Sequence, residues 1–230
     1  LFMTFTPLME PNGHKSSQIY MSNFNETPKS LPITCDDGLV RPPWAATDPL
    51  LREYYDTEWG MPLTDEASLF ERVCLEGFQV GLSWRLILSK RDAFREAFHG
   101  FDPDEVAAMD SVDHLMDNPG LIRNPNKLKA AVTNARATLA LREEGTHLGE
   151  FIWSYKPSTT PRPRTAEEVP TASPESKALA RDLKKRGFIF VGPVTMYALM
   201  ESVGIVDTNL VGTWRRGASG VWSAEELGEG

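Results

Sequence analysis

The sequence predicts an all-α protein with one main domain. Two observations carry this. From Ala46 onward, apolar residues recur at helical spacing in one segment after another. Convincing alternating strands and internal repeats are absent. Asp48 is a plausible N-cap, with Pro49 at the first helical position. Leu51, Tyr54, Tyr55 and Glu58 follow on one face. Thr64 or Asp65 caps a second helix carrying Leu69, Phe70, Val73 and Val80. "SWRLILSKRDAFREAF" reads as a third, with Leu86, Ile87, Phe94 and Phe98 on its apolar face. "DPDEVAAM", "SVDHLMD", "NKLKAAVTNARATLALREE" and "LGEFIWSY" read as further helices. Residues 157–174 hold five prolines and predict a connecting loop. "PESKALARDLKKRGF" and "PVTMYALMESVG" complete the set.

Residues 1–34 are rich in Ser, Asn, Pro and Thr and are expected to form a loosely ordered extension. The main domain is expected over 35–222. The acidic tail "SAEELGEG" (223–230) is expected to be a solvated end.

The chain has 230 residues, 41% of them hydrophobic, enough for one well-buried core. Its formal net charge of −8 argues against broad, non-specific binding of polyanions, while leaving room for a local basic face. Cys35 and Cys74 are the only cysteines, too few for a disulfide framework, so a reducing cytoplasm is expected. The opening residues lack the marks of a signal peptide, and no apolar run approaches the ~20 residues a membrane helix requires.

Glu76 stands out. With Leu69 set at zero on a helical wheel, Val73, Glu76 and Val80 fall within roughly 40° of it. The carboxylate therefore faces inward with the apolar stripe. A buried carboxylate is costly unless it finds donors or a cation. It is either structural, capping a neighbouring helix or pairing with a buried Arg, or it is held in a pocket. Gly77 and Gly81 shorten the surface beside it and suit a pocket edge. Trp44, Tyr54, Trp59 and Trp84 flank it in sequence. They are core residues or, with Glu76, a cage for a flat, electron-poor ring.

Near the C-terminus, Lys177 to Arg186 hold five basic residues and one acid. "FVGPVT" follows, in which Gly192 permits close backbone approach and Pro193 starts a helix. This is an ordinary turn between core helices or a seat for one phosphate at a helix N-terminus.

Taken together, "PWAATDPLLREYYDTEWG", "LFERVCLEGFQVGLSW", "FDPDEVAAM", "LIRNPNKLKAAVTNARA", "FIWSY" and "LKKRGFIFVGPVTMYALMESVGIV" resemble the DNA-3-methyladenine glycosylase I family, from about Arg41 to about Trp214. The resemblance implies the helix-hairpin-helix DNA glycosylase fold and excision of N3-methyladenine from alkylated duplex DNA. It implies that Glu76 hydrogen-bonds the lesion base, with Tyr54 beside it, and these two are the expected catalytic residues. It implies that the base stacks on Trp84 and that Trp44 and Trp59 line the pocket. Gly81 and Leu82 match the segment that fills the gap left by a flipped nucleotide, and Lys185, Gly192 and Val194 belong to the phosphate-gripping hairpin. The expected partner is double-stranded DNA containing alkylated adenine, met by a monomer, with no membrane and no cofactor. No lysine stands where lyase-active relatives carry one, so a monofunctional enzyme is expected.

The sequence departs from the family in two places. Members usually carry a zinc site of two Cys and two His. The matching positions here are Pro42, Tyr55, Asn209 and Thr213, and none of His14, His99, His114 and His147 falls at a matching place. No structural zinc is expected; packing of Tyr55 with Trp214, or the N-terminal extension, is expected to tie the ends instead. The second departure is "VDTN" (206–209). Asp207 is expected to cap a helix over "TNLVGTW"; the alternative is a carboxylate that stabilises a developing sugar cation. Two other functions stay open: a related glycosylase for another lesion, assisted by Asp207, and a catalytically weak protein that binds DNA or a base.

Overall fold

A computed structural model of the protein describes residues 31–228. Residues 1–30, which make up most of the expected extension, lie outside the described part. Ile33–Thr34 (β1) pairs antiparallel with Val40–Arg41 (β2), and this two-residue ladder is the only sheet among the described residues. All else is helix and loop.

The ladder leads into α1 (Pro43–Ala46) and α2 (Pro49–Thr57). The Asp48 carboxylate caps α2 by accepting from the amides of Leu50 and Leu51. Asp65 caps α3 (Glu66–Gln79) through the amide of Ser68. Next come α4 (Trp84–Ser89), α5 (Arg91–Ala97), α6 (Pro103–Ala107), α7 (Pro125–Glu143) and α8 (Leu148–Trp153). After the proline-rich loop, α9 (Pro174–Lys185) and α10 (Pro193–Ser202) form a helical hairpin. Helix α3 is the central strut. It packs against α4, α7, α8 and α10, and Leu69 through Phe78 are all buried.

Several expectations are corrected. The segment "SWRLILSKRDAFREAF" is two helices, because Lys90 leaves helical geometry (φ −111°, ψ 3°). "SVDHLMD" is a short 3-10 turn over Asp113–Asp117. Val80 is not on the buried stripe. Helix α3 ends at Gln79, and Val80 is 46% exposed. The ammonium of the buried Lys127 donates to the carbonyls of Phe78 and Val80, so a distant side chain fixes where α3 stops. The tail is not wholly solvated either: Leu227 is buried, and its carbonyl accepts from Arg216 Nη2 at 3.1 Å.

Candidate active site

Five of the aromatic and acidic residues picked out by the sequence converge on one cavity of about 350 Å³. Trp44, Tyr54, Trp59, Glu76 and Trp84 line it, with Gln79, Ser83, Arg85 and Glu201 among the remaining walls. Helices α1 and α2 supply one wall and α3 the floor, while the turn into α4 and helix α10 close the far side. Tyr54 and Trp84 approach with ring centroids 5.5 Å apart at a tilt of 51°. On the other side, Trp44 meets Trp59 edge-on at 5.5 Å, backed by Tyr55. The walls are apolar and rigid, which suits a flat ring.

Glu76 is 4% exposed. Its carboxylate makes no hydrogen bond and no ion pair to any described residue. It caps no helix, and the nearby Arg72 is spent elsewhere. The structural reading of this carboxylate is therefore not supported. Burial pushes its pKa up to about 8, against the pull of the Arg72 charge and with the neighbouring Glu201 adding to the rise. A group of this kind is most stable neutral. The sign follows: an unfolded Glu titrates near 4.5, so its contribution to stability is intact below that pH and is lost as pH rises through about 8. Glu76→Gln is accordingly expected to raise the melting temperature at pH 9 and to change it far less at pH 5, as thermal unfolding at the two pH values will show.

Tyr54 is positioned by a charged cluster behind the pocket. Arg72, 2% exposed, donates from Nη1 to the Tyr54 hydroxyl at 2.6 Å and from Nη2 to Glu58 at 2.7 Å. Glu58 also accepts from Arg91, which with Arg95 binds Glu71. A guanidinium only donates, so the Tyr54 oxygen must accept, and its own proton is left for another acceptor. Burial raises the Tyr54 pKa, so the phenol keeps that proton. Arg72→Met is expected to lower kcat/KM about tenfold, the size of one lost polar interaction of this kind. In a Tyr54→Phe background the same change is expected to have little effect, because Arg72 acts through the hydroxyl; a double-mutant cycle measures this.

Beside the cavity, Gly81 (φ 76°) and Leu82 sit on the turn between α3 and α4. Val80 and Leu82 are both exposed there, next to Lys90, Arg123 and Lys127. Lys185, Gly192 and Val194 lie at the tip of the α9–α10 hairpin, with Lys177, Arg181 and Lys184 on the same basic face. Val194 is 60% exposed. The hairpin touches the floor of the pocket: a Cβ added to Gly77 would come within 3.2 Å of Phe190 Cβ. Gly81, Leu82, Lys185, Gly192 and Val194 do not line the aromatic cavity.

The positions matching zinc ligands are brought together, but they do not fit a metal. The Tyr55 hydroxyl donates to Asn209 Oδ1 at 2.7 Å, Thr213 Oγ1 donates to the carbonyl of Leu210, and Pro42 offers no ligand atom. Among the described residues no group of three or more His, Cys, Asp and Glu is placed to hold a metal ion. The ring partners of Tyr55 are Trp44 and Trp59, not Trp214 as expected. Trp214 instead ties the ends by hydrogen bonds to the Val40 carbonyl and to Asp56. Asp56 also holds Arg41, which is 2% exposed.

Asp207 caps no helix, since 207–210 is loop. Its carboxylate is buried and accepts from the amide and side chain of Asn209 at 2.9 and 3.0 Å and from the Gly217 amide at 2.7 Å, with Arg216 3.8 Å away. It does not line the aromatic cavity. The sequence reasoning missed Glu201 and Arg72. Glu201 carried the same signal as Glu76: it is the only charged residue in "GPVTMYALMESVGIV". Arg72 carried none.

The chain is similar to known proteins along most of its length. The family model described as methyladenine glycosylase matches residues 44–216. A Haemophilus influenzae protein named DNA-3-methyladenine glycosylase is 47% identical over 176 residues, covering 74% of this chain and 95% of that protein. A crystal structure of 3-methyladenine DNA glycosylase I superimposes with a TM-score of 0.73 at 41% identity, covering 80% of this chain and all of the other. A variant of 3-methyladenine DNA glycosylase I, solved in complex with 3-methyladenine, superimposes with a TM-score of 0.70 at 34% identity, covering 74% of this chain and 94% of the other.

Proposed function

Because the chain belongs to the methyladenine glycosylase family, we propose that its aromatic cavity is the pocket into which an alkylated base is turned out of DNA. The protein is a DNA-3-methyladenine glycosylase: it hydrolyses the N-glycosidic bond of N3-methyladenine in alkylated DNA. The observation that carries the assignment of the pocket is Glu76, a buried carboxylate between aromatic walls with no hydrogen-bond or ion-pair partner among the described residues. Such a group is completed by a ligand that brings positive charge or donors.

The chemistry then needs little from the protein. The N3-methylated nucleotide already carries a positive charge on the base. When the bond from the ring nitrogen to the sugar breaks, its electron pair returns to the base and neutralises that charge. The sugar cation takes up water at the anomeric carbon and loses a proton to solvent. Glu76 and the indole faces favour the cationic nucleotide over normal adenine, which selects the lesion. Tyr54, fixed by Arg72, presents its proton toward the base. Trp84 stacks on the ring, and Trp44 and Trp59 close the other side. Once the nucleotide is extruded, Gly81 and Leu82 fill the gap in the duplex. Lys185, Gly192 and Val194 hold phosphate, a contact that positions without reading sequence.

We read 35–222 as the glycosylase domain, with 1–34 and 223–230 as appendages, and the enzyme as a cytoplasmic monomer. No helix among the described residues is long and apolar enough to cross a membrane. Incubation with methylated duplex DNA followed by chromatography of the released bases tests the pocket assignment. Release of 3-methyladenine that is lost in Glu76→Gln and slowed in Trp84→Ala is expected. Release unaffected by either change would place the base elsewhere.

A further inference from the structure

Glu201 is a second carboxylate on the same cavity. It stands on α10, across from Glu76 on α3, and lines both the base-sized cavity and a smaller one of about 190 Å³ that shares Trp44 and Trp59 with it. Its Oε1 accepts one hydrogen bond, from Thr208 Oγ1 at 2.6 Å. No described cation pairs with it. Of the two arginines near the cavity, Arg85 is on the rim with its Nε on Asp48, and Arg72 is held by Tyr54 and Glu58. The two pocket carboxylates also feel each other: Glu201 is one of the groups that lift the pKa of Glu76, and burial lifts Glu201 itself to about 7.

Two acids facing one apolar cavity, neither paired with a described cation, oppose each other when the cavity is empty. A ligand cation relieves both the mutual repulsion and the cost of burial. If Glu201 served only to accept from Thr208, a glutamine would do the same without that cost.

We propose that Glu201 is a charge-selecting residue of the base pocket, acting with Glu76 to favour a positively charged base over the same ring without charge. This rests on the reading of the cavity as the base pocket. It extends that reading, because it gives the selectivity for cationic lesions to two helices instead of one.

The test uses the full chain and two probes, the permanently cationic 3,9-dimethyladeninium and neutral 9-methyladenine, with binding measured by calorimetry at pH 8.5. The wild type is expected to prefer the cation. Glu201→Gln keeps the acceptor for Thr208 and is expected to bind the cation about tenfold more weakly, with the neutral probe unchanged, as loss of one nearby charge implies. Thr208→Val removes the hydrogen bond and keeps the charge; it is expected to retain the preference. Two results overturn the inference while leaving the pocket reading intact. In one, Glu201→Gln keeps full preference while Glu76→Gln loses it. In the other, Glu201→Gln and Thr208→Val weaken both probes alike, the mark of a purely structural role. Full preference in both glutamine variants overturns the pocket reading itself.

Discussion

Glu76→Gln is expected to release 3-methyladenine from methylated duplex at least about 100-fold more slowly than the wild type in single-turnover assays, which corresponds to about 2.7 kcal/mol. Glutamine has nearly the same shape and fits the same space. What it removes is the negative charge, and it places an amide donor where an acceptor is wanted. Within walls formed by Tyr54, Trp59 and Trp84 the effective dielectric is low, so the charge acts strongly on a cation. The substitution should not unfold the protein, because a neutral side chain suits the apolar site better than an ionised one. Binding to undamaged duplex should also persist, since Leu82 and the α9–α10 hairpin are untouched. A loss of less than threefold would remove Glu76 from the reaction.

Asp207→Ala is expected to lower stability by about 3–5 kcal/mol, the cost of leaving three buried donors without their acceptor. Three donors converge on this carboxylate, and the Arg216 guanidinium lies close by with 2% of its side chain exposed. Without it, the Gly217 amide and the Asn209 side chain are left unsatisfied, and the Tyr55–Asn209 hydrogen bond loses its support. Thermal unfolding measures the loss, about 10 °C or more for a domain of this size. Activity per folded molecule at low temperature should stay within a few-fold of wild type, because Asp207 does not line the base-sized cavity. A stable Asp207→Ala protein with strongly reduced base release would restore the catalytic alternative. In this account the Tyr55–Asn209–Asp207 chain links α2 to the C-terminal loops without a metal. A strong chelator should therefore leave the unfolding temperature of the wild type unchanged, and one equivalent of zinc in purified protein would contradict this.

Helix starts were legible because their signals are local. Asp48 and Asp65 announce α2 and α3, and both cap as expected. The inward direction of Glu76 was legible for the same reason: it depends only on helical period. Periodicity could not separate a structural acid from one waiting for a ligand. That difference is set by which residues do not reach it, above all Arg72, which turns to Tyr54 and Glu58.

The misreadings share a cause at long range. Helix α3 stops at Gln79, where Gly81 takes a positive φ and Lys127, from far along the chain, holds the carbonyls of Phe78 and Val80. The break at Lys90 has no proline or glycine to mark it; the Lys90 ammonium donates to the carbonyl of Pro119. Asp207 does accept from the amide two residues on, as a cap would, but its second oxygen is claimed by Gly217 and no helix follows. Glu201 could have been found, since an acid in an apolar helix is the signal that singled out Glu76.

The most direct test is the titration of Glu76 itself, followed by carbon-13 NMR of labelled glutamate carboxyls, assigned with Glu76→Gln. The expected result is a pKa near 8 in the free protein, as burial without a described partner requires, and a fall well below neutrality when 3,9-dimethyladeninium occupies the pocket. A Glu76 that titrates near its ordinary value in the free protein, or that is unmoved by the bound cation, would contradict it.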